Sequence, residues 1–241
     1  MVKLSHFFLD FLFSPTCLLC QKQGAFICST CQKDLAPLKR QICPYCAKPS
    51  LTGEVHKNCR RGYFLDGLVS TFSYHSPFRE IIAKIKFEPY LFSALGELTM
   101  NALICLDGDD RFLSFKKFID KEDPVVIPIP LHKSKFRQRG FNQAQIIGKK
   151  ITDYYNLALE EKLLLREKPT RPQFDLAEKE RRQNIKEAFL ISKRRFDNCS
   201  VQLPSVLLVD DIWTTGATMK EATRVLKKVG IPKVWGLTLA R

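Results

Sequence analysis

Asp210 and Asp211 stand side by side at the end of an apolar run, and hydroxyls and a glycine follow at once, in "VLLVDDIWTTGAT" (206–218). Two adjacent carboxylates at the end of a buried strand suit a cation or a pair of sugar hydroxyls. The residues after them suit an anion. Backbone amides in a tight turn, continued by a helix N-terminus, aim several donors at one point. Thr214, Thr215 and Thr218 add hydroxyls to that set, and Gly216 lets the backbone come close to a ligand. A carboxylate pair beside an anion cradle has the two features a sugar phosphate requires. A capped helix after a strand would explain the threonines but not the two charges.

A second group is cationic. Lys133, Lys135, Arg137 and Arg139 fall within seven residues, just after the strand-like "VIPIP" (126–130), in the loop "LHKSKFRQRGFNQ" (131–143). Such a cluster beyond a strand's carboxyl end suits a pyrophosphate. A third stretch, "LLREKPTRPQFDLAEKERRQNIKEAF" (164–189), reads as a mobile basic hairpin leading to a helix with Arg181, Arg182 and Asn184. Between Leu131 and Arg195 there are 17 Lys+Arg against 8 Asp+Glu, a net of +9 in a chain whose formal net charge is +14. Charge of this sign and density is either a solvated basic face or a surface for an anionic partner such as nucleic acid. Phe136, Phe141 and Phe174 lie among the charges, as base-stacking platforms or as ordinary core.

The third chemistry is metal binding. Seven of nine cysteines lie between residues 17 and 59, in "CLLC", "CSTC", "CPYC" and "HKNC". Two intervening residues let one tight turn aim two ligands at one ion, and four such pairs make two tetrahedral sites of the kind zinc prefers. The sets expected are Cys17, Cys20, Cys28, Cys31 and Cys43, Cys46, His56, Cys59, although a cross-braced pairing satisfies the same spacing. Four protein ligands leave no open position, so both zinc ions are expected to be structural. Cys105 and Cys199 fall outside the pattern.

The elements that position these groups follow from periodicity. Runs at 67–74, 124–130, 205–211 and 233–240 read as strands, and 77–87, 92–106, about 140–155 and 218–230 as helices. "GDDRFLSFKKFIDKED" (108–123) reads as a polar connector. Strands alternating with helices predict an α/β fold with a parallel sheet flanked by helices. Two units are expected, a small N-terminal double zinc ribbon at 1–64 and a larger unit at 65–241 with a basic hood near 164–200. The opening "KLSHFFLDFLF" has its apolar stretch broken by Asp10 and reads as an amphipathic helix docked on the protein. No segment is apolar over the ~20 residues a bilayer span takes, and the chain is expected to be cytoplasmic.

The 206–218 stretch resembles the signature of the type I phosphoribosyltransferases. That resemblance implies that Asp210 and Asp211 hold the ribose hydroxyls of phosphoribosyl pyrophosphate. It also implies that Thr214, Thr215, Gly216, Ala217 and Thr218 hold its 5-phosphate, with magnesium accompanying the pyrophosphate. "RGFNQ" (139–143), Thr170, Gln173 and Leu176, and Arg181, Asn184, Ala188 and Phe189 together resemble the competence protein F (ComF) family over nearly the whole chain. One departure is His56-x-x-Cys59, where that family usually has a second cysteine. The resemblance implies a role in natural transformation, handling single-stranded DNA beside a helicase-like partner. Whether the fold also transfers the phosphoribosyl group, with pyrophosphate release, stays open at this level. If it does, Arg137, Arg139, Asp210 and Asp211 would carry the reaction and Lys133 would assist ligand binding.

Overall fold

The computed structural model describes residues 15–35, 37–60, 62–88, 91–168, 180, 185–192 and 203–241. The described residues begin with two cysteine knuckles of the same design. The amide of Cys17 bonds to the carbonyl of Lys22 and that of Cys43 to the carbonyl of Lys48. Gln21 and Ala47 take the left-handed conformation that closes each turn, at φ 64° and 59°. Helix α1 (Ser29–Lys33) carries Cys31, strands β1 (Gln41–Ile42) and β2 (Pro49–Ser50) flank the second knuckle, and a 3-10 turn (Lys57–Cys59) delivers Cys59. The ligand atoms of Cys17, Cys20, Cys28 and Cys31 lie within 4.8 Å of one another, as do those of Cys43, Cys46, His56 and Cys59. The sequential pairing is therefore the one formed. His56 Nδ1 faces Cys46 Sγ at 3.4 Å while its Nε2 lies 3.0 Å from the Pro49 carbonyl, the outer hydrogen bond that orients a zinc-binding imidazole. Both donor sets fit structural zinc.

The ribbons are built into the body of the protein. Cys17, Ile27, Cys31 and Leu35 of the first belong to the main apolar core. The second covers the outer edge of β3 (Gly67–Phe72). Gln41 brackets Ser70, donating to its carbonyl and accepting from its amide, both at 2.9 Å. Leu68 donates to the Gly53 carbonyl at 2.9 Å. Gly53 has φ +81°, and a Cβ there would stand 2.2 Å from the Leu68 carbonyl oxygen, so only glycine allows this approach. An edge strand that would otherwise offer unpaired backbone is thus closed.

Next come helices α2 (Phe78–Phe87), α3 (Phe92–Asp107) and α4 (Leu113–Glu122), and strand β4 (Val125–Pro128). They lead to helices α5 (Lys133–Arg139) and α6 (Gln143–Tyr155), and the small antiparallel pair β5 (Leu164–Arg166) and β6 (Phe189–Ile191). Strand β7 (Val206–Ile212), helix α7 (Ala217–Lys228) and strand β8 (Val234–Ala240) complete the chain. The central sheet is parallel, as the sequence predicts, and its strand order is β3-β8-β7-β4. Along β7, Leu207 and Val209 enter one core with α2, α3, α4 and α6, while Val206 and Leu208 enter the other with α7. That alternation is why both faces of the strand read as apolar.

Two expectations need correction. The stretch expected to be a polar connector contains α4, because Phe115, Phe118 and Ile119 recur at helical spacing and are buried, with Phe118 stacked on Trp235 at 5.4 Å. The cationic loop is helix α5, capped by His132, whose Nδ1 accepts from the Ser134 amide, and ended by Gly140 at φ 77°. The N-terminal helix and Thr170, Gln173, Phe174, Leu176, Arg181, Arg182, Asn184 and Cys199 lie outside the described residues. Among the described residues no helix is long and apolar enough to cross a membrane.

The Gln41 bracket generates a direct expectation. Gln41→Ala leaves both backbone groups of Ser70 without their side-chain partner and is expected to cost roughly 1–3 kcal/mol in urea unfolding. Metal analysis of the same preparations should still give two zinc ions per chain, since Gln41 touches neither donor set.

Candidate functional site: an acidic pair in a basic cleft

A cleft of about 470 Å³ opens past the carboxyl ends of β4 and β7, where open parallel sheets bind ligands. Asp210 and Asp211 stand at its floor. The amide of Asp211 donates to Asp210 Oδ1 at 2.9 Å, which fixes the first carboxylate against the backbone of the second.

The loop that follows is held from beneath. Trp213 is buried and lies under Gly216, where a Cβ would meet its ring at 2.1 Å. Gly216 has φ +70°, a second reason for glycine. Lys220 donates to the Thr215 carbonyl at 3.1 Å and sits 5.3 Å over the Trp213 ring. Thr215 Oγ1 accepts from the Ala217 amide at 3.3 Å. Thr215 therefore braces the turn and does not line the cleft. Thr214, Gly216, Ala217 and Thr218 line the cleft at the start of α7.

Helix α5 divides its cations between two faces. Lys135 and Arg139, one turn apart, line the cleft; Lys133 and Arg137 are exposed and do not. Asn142 anchors the segment by donating to the Ile129 carbonyl at 3.0 Å and capping Ala144 at 3.1 Å. Gln143 accepts from Arg139 at 3.4 Å, and its buried Nε2 has no partner among the described residues. Phe136 is exposed, whereas Phe141 packs against the main core.

Two cations come from elements that the sequence reading did not connect to the site. Lys86, in the last turn of α2, pairs with Asp211 at 2.8 Å. Arg166, from β5, lines the cleft and lies 5.6 Å from the Phe189 ring centroid. The charges act on one another. Burial, then the adjacent Asp211 charge, push Asp210 up to about 8. Burial also acts to raise Asp211, but Lys86 and then Arg139 outweigh it and hold that carboxyl below its usual range. Burial, then Arg166, Arg139 and Lys86, press Lys135 down to about 8. An oxygen-rich anion entering the cleft would meet several cations already placed around an ionised carboxylate.

The double zinc ribbon domain model matches residues 8–60. Competence protein F of Haemophilus influenzae is 30% identical over 220 residues, covering 89% of this chain and 90% of that protein. Competence protein ComFC of Bacillus subtilis is 27% identical over 215 residues, covering 85% and 79%. DNA utilization protein YhgH of Escherichia coli O157:H7 is 26% identical over 235 residues, covering 92% and 95%.

The raised Asp210 carboxyl makes stability depend on pH. The unfolded chain loses this proton near an ordinary aspartate pKa of ~4, the folded chain only near about 8. Between those values the folded state holds the extra proton, so stability falls as pH rises. Asp210→Asn removes that loss. Thermal unfolding should find the stability of the variant relative to the parent rising between pH 5 and pH 8, by at least about 1 kcal/mol.

Proposed function

The chain belongs to the competence protein F (ComF) family, and on that premise we propose that it binds phosphoribosyl pyrophosphate, or a related sugar phosphate, and handles single-stranded DNA during DNA uptake. The observation that carries this reading is the acidic pair and the Gly216 turn lining one cleft with Lys135 and Arg139. On this reading the unit from residue 65 onward has the type I phosphoribosyltransferase fold. Asp210 and Asp211 take the ribose hydroxyls, and Thr214, Gly216, Ala217 and Thr218 take the 5-phosphate. Lys135 and Arg139 take the diphosphate, which brings its own magnesium. Thr215 acts through the turn it braces.

The two exposed cations of α5 have a different use. Lys133 and Arg137 flank the exposed Phe136. Cations beside an exposed ring suit a single strand, with phosphates on the charges and a base on the ring. The DNA-related names of the relatives, competence and DNA utilization, agree with that use. A helicase-like protein of the uptake machinery is the partner proposed to deliver the strand.

An active transfer is the second reading, favoured by the density of cations around a site that takes a diphosphate. Electrostatic stabilisation of a departing pyrophosphate needs little more. Titration with phosphoribosyl pyrophosphate and magnesium tests the ligand. A pyrophosphate-release assay with nucleobases and amines then separates binding alone from transfer. Asp210→Ala with Asp211→Ala is expected to weaken binding roughly 100-fold, one charge-assisted hydrogen bond to Asp211 and one neutral hydrogen bond to Asp210, with zinc content unchanged. Retained affinity would contradict the assignment.

Single-stranded DNA binding should weaken steeply with salt. Replacing Lys133 and Arg137 together by alanine should flatten the log–log slope by about 1.4 if each meets one phosphate. An unchanged slope would move the DNA face elsewhere.

A further inference from the structure

We propose that Gln143 is a ligand-binding residue of the cleft: its side-chain amide donates to an oxygen of the diphosphate, beside Arg139. This rests on the ligand proposed above. Gln143 is only 4% exposed, and its Nε2 is buried without a hydrogen-bond partner among the described residues. A buried donor left so costs stability, and a native fold keeps few of them. The start of α6 does not require this one. Asn142, one residue earlier, already caps the helix at Ala144 and ties it to the Ile129 carbonyl. Turning the amide over does not pair it either. Its Oε1 accepts from Arg139, and the reversed amide would set its NH2 against a guanidinium that has only donors.

The position names the missing acceptor. Gln143 lines the cleft with Lys135 and Arg139, the cations assigned to the diphosphate. Being neutral, it adds a donor there without adding to the repulsion between those cations. Its hold on Arg139 is loose, because 3.4 Å is long for a hydrogen bond, and the last torsion of a glutamine side chain is soft. A turn about that torsion presents Nε2 to the oxygen that Arg139 holds. The cations supply charge, which acts at any angle; the amide supplies direction. A sugar carrying only the 5-phosphate binds at the Gly216 turn and leaves this donor unused. Gln143 thus acts on the diphosphate and not on the sugar.

Calorimetric titration of the parent and Gln143→Met tests the donor, with phosphoribosyl pyrophosphate, inorganic pyrophosphate and ribose 5-phosphate as ligands and magnesium throughout. Methionine keeps the length of the side chain and drops both polar atoms. The variant should bind the two diphosphates about tenfold more weakly or worse, the scale of one hydrogen bond to a charged oxygen. Ribose 5-phosphate should stay within about twofold of the parent. Equal losses for all three ligands would overturn the proposal. Thermal unfolding without ligand should move the other way, Gln143→Met melting at or above the parent because it lacks the unpaired amide. A lower melting temperature would mean that the amide serves the fold, and would overturn the proposal too. Nitrogen-15 spectra separate a donor to the ligand from a mere prop for Arg139. The Gln143 side-chain amide signal, identified by its loss in Gln143→Met, should shift downfield in its proton dimension when pyrophosphate binds; a stationary signal overturns the donor role. If the parent binds none of the three ligands, the ligand assignment falls and Gln143 with it. If the parent and Gln143→Met bind phosphoribosyl pyrophosphate equally, only the role of Gln143 falls.

Discussion

Two carboxylates on consecutive residues at the buried end of a strand are the constraint around which the site is arranged. Coulomb repulsion between them is strong where water is scarce. The protein meets it in two ways. Asp210 is pushed toward its protonated form, and Asp211 is held ionised by the ammonium of Lys86. Lys86 comes from α2, Lys135 and Arg139 from α5, and Arg166 from β5. These cations converge from three elements widely separated in sequence. Their own repulsion shows in Lys135, whose ammonium is pressed down by burial and by its neighbours. The cleft is thus a compromise among charges that a polyanion would relieve.

That compromise needs a floor that does not move. Trp213 supplies part of it, by filling the space beneath Gly216 so that the turn can neither collapse nor accept a side chain. Lys220 ties the next turn of α7 to the same ring and to the Thr215 carbonyl. On the other side, Asn142 fixes the start of α6 to the segment after β4, which sets where Arg139 points. These contacts are local hydrogen bonds and ring packing, made by residues that need not touch a ligand.

Much of this was legible in the sequence where the signal is local. The cysteine pairs, the apolar strands and the acid–glycine turn each declare themselves within a dozen residues. The parallel sheet followed from strands that are apolar on both faces. What was not legible depends on tertiary placement. Lys86 sits in "IIAKIKF", where it reads as one more polar position on an amphipathic helix. Arg166 follows three leucines and reads as the polar end of a strand. Neither carries a mark of its own, because only packing of α2 and β5 beside β7 turns them toward Asp210 and Asp211. The four cations of α5 were visible as a cluster, but treating the stretch as a loop hid the division into two faces. In a helix, positions 135 and 139 share a face, and 133 and 137 occupy another. The stripe of α4 was hidden differently: its charged residues dominate the composition while Phe115, Phe118 and Ile119 carry the packing.

The zinc module enters this picture through the sheet. The side chain of Gln41, two residues before Cys43, brackets Ser70 on β3. The hydroxyl of Ser70 lies 2.7 Å from that of Thr238 on β8. Thr238 is the residue registered against Asp210 on β7. A continuous line of buried polar contacts and strand pairing therefore runs from the second ribbon across the sheet to the first carboxylate. Gln41, Ser70 and Thr238 are buried, and a buried polar group left without its partner is costly, so each restrains the next. Zinc binding contributes folding free energy directly, because the ligands have no site to bind the ion until the segment folds. A sheet that must carry two like charges at one end gives up stability there. Clamping its opposite edge with metal-stabilised ribbons offsets that loss without placing another group in the cleft.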